Sequence, residues 1–138
     1  MKKPIAAFFT VLLVASMLTV CAGARASDQI DSGWTVAQAS SDGQILVEFE
    51  VTGTGMMSKL GANLITLYEQ RSNSWRPAKT LTASDCPEMF TTNSRSYSEV
   101  ISFDGVSGRQ YYATVSVFAS DANGTDYKTY TSNVVTAK

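Results

Sequence analysis

Glu48 and Glu50 are the side chains in this sequence whose type and spacing come nearest to bond-breaking chemistry. They stand two residues apart in a stretch that alternates apolar and polar positions. On an extended strand that spacing puts both on one face, about 7 Å apart. A glycosidase needs two carboxylates flanking a scissile bond in a cleft. A strand packed on one side places the same residues in water, and that is the simpler account.

Other chemistry is thinner still. The chain has no histidine. This removes the commonest general base, the Ser-His-Asp and Cys-His arrangements, and histidine-containing zinc sites. Gly53-Thr54-Gly55 lacks the spacing and the lysine of a phosphate loop. Asp104, Asp121, Asn123 and Asp126 offer oxygens that a calcium ion accepts. They do not follow calcium-loop spacing, and turn formation explains them. The expectation is therefore no cofactor, with calcium as the minor alternative. Of two cysteines, Cys21 and Cys86, Cys86 is a small buried hydrophobe or a thiol that pairs between chains.

The aromatic residues carry more information. Trp34, Tyr68, Trp75, Tyr97, Tyr112, Phe118, Tyr127 and Tyr130 are many large rings for a chain of 138 residues. Alternation puts Tyr112 and Phe118 on the face opposite Tyr111 and Val115. With Tyr127 and Tyr130 they form a candidate binding surface, able to stack on a glycan or meet a protein partner. Trp75 is expected to be a core anchor, whose loss would cost about 3 to 5 kcal/mol.

These side chains need elements to hold them, and the first 26 residues are not among those elements. Lys2 and Lys3 precede an apolar run from Pro4 to Val20, followed by Ala24-Arg25-Ala26. A charged start, an apolar middle and a small-x-small site are the parts of a secretory signal peptide. The expectation is a leader at 1–26 and one secreted domain at 27–138, with no permanent membrane span. Leu18-Thr19-Val20-Cys21 also resembles the lipobox of bacterial lipoproteins, although Val20 stands where that pattern has Gly, Ala or Ser. Lipid anchoring to the cell surface through Cys21 is thus the alternative localisation. The whole chain has 11 basic and 12 acidic side chains. Lys2, Lys3 and Arg25 fall in the leader, leaving 8 against 12, a net charge of −4. That balance argues against a nucleic-acid partner.

Past the leader, segments of period two alternate with turn residues, and no amphipathic helix stands out. About seven strands are expected: near 34–39, then 44–52, 62–71, 75–81, 94–103, 110–120 and 126–136. Asp42-Gly43, Gly53-Thr54-Gly55, Ser72-Asn73-Ser74, Asp104-Gly105 and Asn123-Gly124 separate them. Residues 56–61 read as a loop, an edge bulge or one helical turn. Pro77 cannot donate to a ladder, which predicts an edge strand or a bulge. The fold class expected is all-β, a two-sheet antiparallel β-sandwich, with a closed barrel as runner-up.

Three local features resemble immunoglobulin-like and fibronectin type III-like sandwiches. Residues 111–119 look like their sixth strand, Asn123-Gly124 like the turn between their last two strands, and residues 132–136 like the closing strand. The resemblance implies that Tyr111 takes a tyrosine-corner role, its hydroxyl bonded to nearby backbone. The paired cysteines of antibody domains are missing. A narrower resemblance is to small secreted proteins of Gram-positive, mostly clostridial, bacteria. It rests on Leu67-Tyr68-Glu69-Gln70, Ser72-Asn73-Ser74-Trp75 and Tyr111 to Val115. That family has no assigned chemistry, so it implies a location and a fold class only.

The function expected is a non-enzymatic secreted or cell-surface binding module for a protein or glycan. The alternatives are a self-assembling surface protein, linked through unpaired strand edges and Cys86, and a small carboxylate-dependent glycan hydrolase.

Overall fold

A computed structural model describes residues 28–138 of the chain. The leader expected at 1–26 and Cys21 lie outside the described residues. Seven strands appear: β1 (Ile30–Ala39), β2 (Gln44–Arg71), β3 (Ser74–Thr82), β4 (Phe90–Asp104), β5 (Gln110–Asp121), β6 (Gly124–Thr131) and β7 (Val135–Thr136). One turn of 3-10 helix, Pro87–Met89, leads into β4. No helix among the described residues is long and apolar enough to cross a membrane.

The all-β antiparallel expectation holds, but the strands join as one sheet instead of two. The reason is β2. It runs 28 residues and merges the strands expected at 44–52 and 62–71. Its first half lies between β1 and β4, and its second half between β3 and β5. Gly53-Thr54-Gly55 does not end the strand. The register with β4 shifts there, between Thr52 and Met57, so the glycines let the strand bend while it stays extended. Residues 56–61 belong to the strand as well. The sheet curls until β1 lies against β5 and β6. No ladder joins β1 to β6 among the described residues, so the curl stays open and the barrel does not close.

The curl encloses a single core. Ile45, Val47, Phe49 and Val51 come from the first half of β2, and Leu60, Ala62, Ile65 and Leu67 from the second. Ile101 and Phe103 of β4 and Tyr111, Ala113, Val115, Val117 and Ala119 of β5 join them. Each fully buried Val, Leu, Ile or Phe contributes about 1.5 to 3 kcal/mol. A one-residue slip would turn each inner set outward, which is what holds the register.

Turn chemistry follows the sequence closely. Ser72 and Asn73 both have positive φ, 47° and 69°, as a two-residue hairpin between Arg71 and Ser74 requires. The β5–β6 hairpin closes on the pair Asp121 and Gly124, so its loop residues are Ala122 and Asn123, one place earlier than expected. Pro77 sits on β3, which pairs only with β2 among the described residues, beside a register shift. Both predicted consequences of that proline are present.

The strand expected at 126–136 is divided. Ser132 leaves the ladder, and its Oγ accepts from the Ala113 N–H at 2.8 Å. The side chain of Asn133 accepts from Ala37 N at 2.9 Å and donates to Ala37 O at 3.0 Å. An amide side chain thus replaces one peptide unit and ties β1 to the end of the chain.

Candidate functional site

The outer face of the sheet can be built from the register. Positions paired across antiparallel strands share a face. Tyr112, Thr114, Ser116 and Phe118 of β5 pair with Tyr68, Thr66, Leu64 and Gly61 of β2. Thr131, Thr129 and Tyr127 of β6 extend the same rows. Thr82 and Thr80 extend them through β3. Hydroxyl groups and Leu64 therefore occupy the middle of this face, and aromatic rings stand at both ends.

At the Phe118 end the rings line a groove of about 480 Å³. Its walls are Lys59, Asn63, Ala83, Ser84, Pro87, Phe90, Phe118 and Tyr127. The rings of Phe90 and Phe118 are 6.2 Å apart and those of Phe118 and Tyr127 6.4 Å, each pair tilted. Gly61 makes this possible. A Cβ there would lie 2.3 Å from Met89 O and 2.4 Å from Phe90 Cα, so only glycine lets β4 approach at this point. The Lys59 ammonium stands 5.9 Å from the centre of the Phe90 ring, a cation–π contact.

Asn63 is one of the polar residues of the groove wall. The β2–β5 register shifts between Ala62 and Leu64, making Asn63 the extra residue of a bulge. Its carbonyl accepts from Ala83 N at 3.1 Å, which holds the far wall. Its Oδ1 is buried and has no hydrogen-bond partner among the described residues. A buried acceptor without a donor costs about 1 to 3 kcal/mol.

The four candidate binding residues separate. Phe118 and Tyr127 line the groove. Tyr112 lies on the same face at its other end, stacked on Tyr68 at 4.8 Å and 11°, with Trp75 edge-on at 4.8 Å. Trp75 is therefore part of an outer aromatic cluster and not of the buried core, because its place on β3 opposite Gln70 points it outward. Tyr130 pairs with buried Val115 and so belongs to the inner face. It packs beside the core, close to Gly33, where a Cβ would meet its ring at 2.8 Å.

The remaining candidates fall elsewhere. Cys86 is a half-buried free thiol in the turn that leads to the groove wall, packed against the core. Glu48 and Glu50 line neither the groove nor the pocket described next. Asp121 and Asp126 accept from Gln29: its backbone N–H reaches Asp126 at 2.8 Å and its amide reaches Asp121 at 3.4 Å. They tie the start of the domain to the β5–β6 hairpin. Among the described residues no three His, Cys, Asp or Glu side chains gather as metal ligands.

Sequence reasoning missed Glu69. It follows Ile65 and Leu67 on the inner face of β2 and is only 4% exposed. Its carboxylate accepts from Tyr111 Oη at 2.5 Å, Arg71 Nε at 2.5 Å and Arg109 Nη1 at 2.9 Å. The Tyr111 hydroxyl in turn accepts from Val106 N at 2.8 Å. The Tyr111 hydrogen bond, more than any other cause, holds the Glu69 carboxyl below its ordinary value; burial opposes it, and the arginines add to it. The one available signal was parity: Glu69 falls where the inward alternation of β2 calls for an apolar residue.

Beneath this cluster lies a polar pocket of about 370 Å³ lined by Glu69, Arg71, Arg76, Pro77, Ala78 and Asp104. No protein-family model matches the chain, and no curated protein matches it.

Proposed function

We propose that the protein is a non-enzymatic secreted binding module that takes a glycan in the groove between Phe90, Phe118 and Tyr127. The observation that carries this is the groove itself, whose wall sets three aromatic rings beside the polar side chains of Lys59, Asn63 and Ser84. The rings would meet the C–H faces of a sugar. Lys59, Ser84 and the Asn63 side chain would supply polar contacts to sugar hydroxyls. The volume suits a small ligand or one to a few units of a longer one. A protein partner would call for a broad apolar patch. The exposed large apolar residues are instead spread over β1, β2, β4, β6 and the loops. The leader supports export. The Val106–Tyr111 hydrogen bond supports the immunoglobulin-like part of the fold reading.

The test is a glycan array followed by titration of the hits. Tyr127→Ala is the informative variant, since Tyr127 is 63% exposed and contributes little to the core. The expected result is saturable binding that weakens about tenfold, or about 1.4 kcal/mol. Binding that survives both Tyr127→Ala and Asn63→Ala would place the ligand elsewhere. The absence of any glycan hit would end the proposal.

A further inference from the structure

Three of the four arginines among the described residues, Arg71, Arg76 and Arg109, meet around Glu69. Register explains the meeting. Arg76 pairs with Glu69 across β2 and β3, and Arg71 lies two residues further along the same face. Beside them the β3 ladder shifts at Pro77 and Ala78, a bulge of the kind that re-aims side chains.

The pairing is uneven. Glu69 serves Arg71 and Arg109 together. Asp104, the other acid of the pocket, accepts from Gln44 Nε2 at 2.5 Å. Arg76 makes no ion pair and no side-chain hydrogen bond among the described residues. Two guanidiniums and two carboxylates thus line the pocket, with Arg109 outside that lining on Glu69, and Arg76 is the guanidinium with no carboxylate on it. Arg71 is fixed through Nε alone, which leaves its Nη pair to donate. A guanidinium already held by one carboxylate loses less freedom on meeting a second partner.

We propose that this pocket is an oxyanion site, in which Arg71 and Arg76 hold a sulfate-type group by paired N–H donation. Guanidinium forks match oxyanion geometry better than any other side chain. Glu69 and Arg109 are positioning residues. Glu69 orients Arg71, and Arg109 and Tyr111 both donate to Glu69 and hold it in place. The site is separate from the aromatic groove and does not depend on it. The oxyanion can be free in solution or carried on a glycan, and the experiment distinguishes the two.

The purified protein, labelled with nitrogen-15, is titrated with sodium sulfate at constant ionic strength and, separately, with a sulfated oligosaccharide. Arginine Nε–H signals are the readout. Saturable shifts at Arg71 and Arg76, with Arg95 unmoved, are expected. Arg76→Ala weakens binding about tenfold while the far-ultraviolet spectrum stays unchanged, and Arg76→Lys restores only part of it because charge returns without the fork. Tighter binding of the oligosaccharide assigns the oxyanion to a glycan; equal affinity assigns it to a free anion. No saturable shift with either probe overturns the proposal. So does an Arg76→Ala affinity within about twofold of wild type, or a shift of Arg95 equal to the others.

Discussion

Replacing Glu69 with glutamine tests whether one inward carboxylate organises the open end of the core. The substitution keeps the size of the side chain and removes its charge. Three hydrogen bonds are affected, from Tyr111, Arg71 and Arg109. The Tyr111 bond is the buried one, and a hydrogen bond to a charged group is worth about 1.5 to 3 kcal/mol. Glutamine retains an acceptor for it at roughly half the strength. Arg71 and Arg109 are 58% and 41% exposed. Water screens them, and each pair adds no more than about 0.2 to 1 kcal/mol. The expected loss at neutral pH is about 2 kcal/mol. With a urea slope of about 1.3 kcal/mol per molar, the midpoint falls by about 1.5 M. The pH dependence supplies the sign. The folded carboxyl titrates below its ordinary value of 4.5. Its contribution is therefore complete above that value and is lost as pH falls through the folded one. The gap between wild type and Glu69→Gln should close in acid. A gap under about 0.5 kcal/mol at neutral pH, or one that persists unchanged in acid, would refute the reasoning.

Three further outcomes follow from the same structure. Gly61→Ala forces a Cβ into Met89 and Phe90 backbone and should destabilise by about 3 kcal/mol or more; a denaturant midpoint near wild type would mean β4 can move away freely. Asn133→Ala removes both hydrogen bonds to Ala37 and should cost about 1 to 3 kcal/mol, with faster hydrogen exchange at the Ala37 amide as the local readout. Trp75→Ala removes an edge-on contact with Tyr112 on the outer face. It should cost about 1 to 2 kcal/mol, less than the roughly 3 to 5 kcal/mol typical of a buried tryptophan; thermal unfolding decides between them.

Alternation was legible wherever a strand has one wet face. The inner positions of β5 and the first half of β2 read directly from the sequence, and all are buried. The hairpin at Ser72-Asn73 was legible for a different reason, since its backbone demands residues that tolerate positive φ. The continuity of β2 was not legible, because glycines that end a strand and glycines that bend one look alike locally. Only the ladders from β4, over residues 57–61, and from β5, from residue 59 onward, distinguish the two. Tyr130 was misplaced because the sequence does not reveal where a strand's register begins. Its partner Val115 decides which way it points.

The candidate sites divide along the same line. Phe118 and Tyr127 could be named from alternation and a tight turn. Asn63 and Glu69 could not. The first matters through a bulge that only pairing with β5 creates. The second matters through Arg109 and Tyr111, about forty residues away along the chain. By itself the sequence determined which residues are extended, where most of the chain reverses and which faces are apolar, because those properties depend on neighbours one to four residues apart. Tertiary structure alone decided that there is one curled sheet, where the groove opens and which carboxylate stands among arginines, because those depend on which distant strands share a ladder.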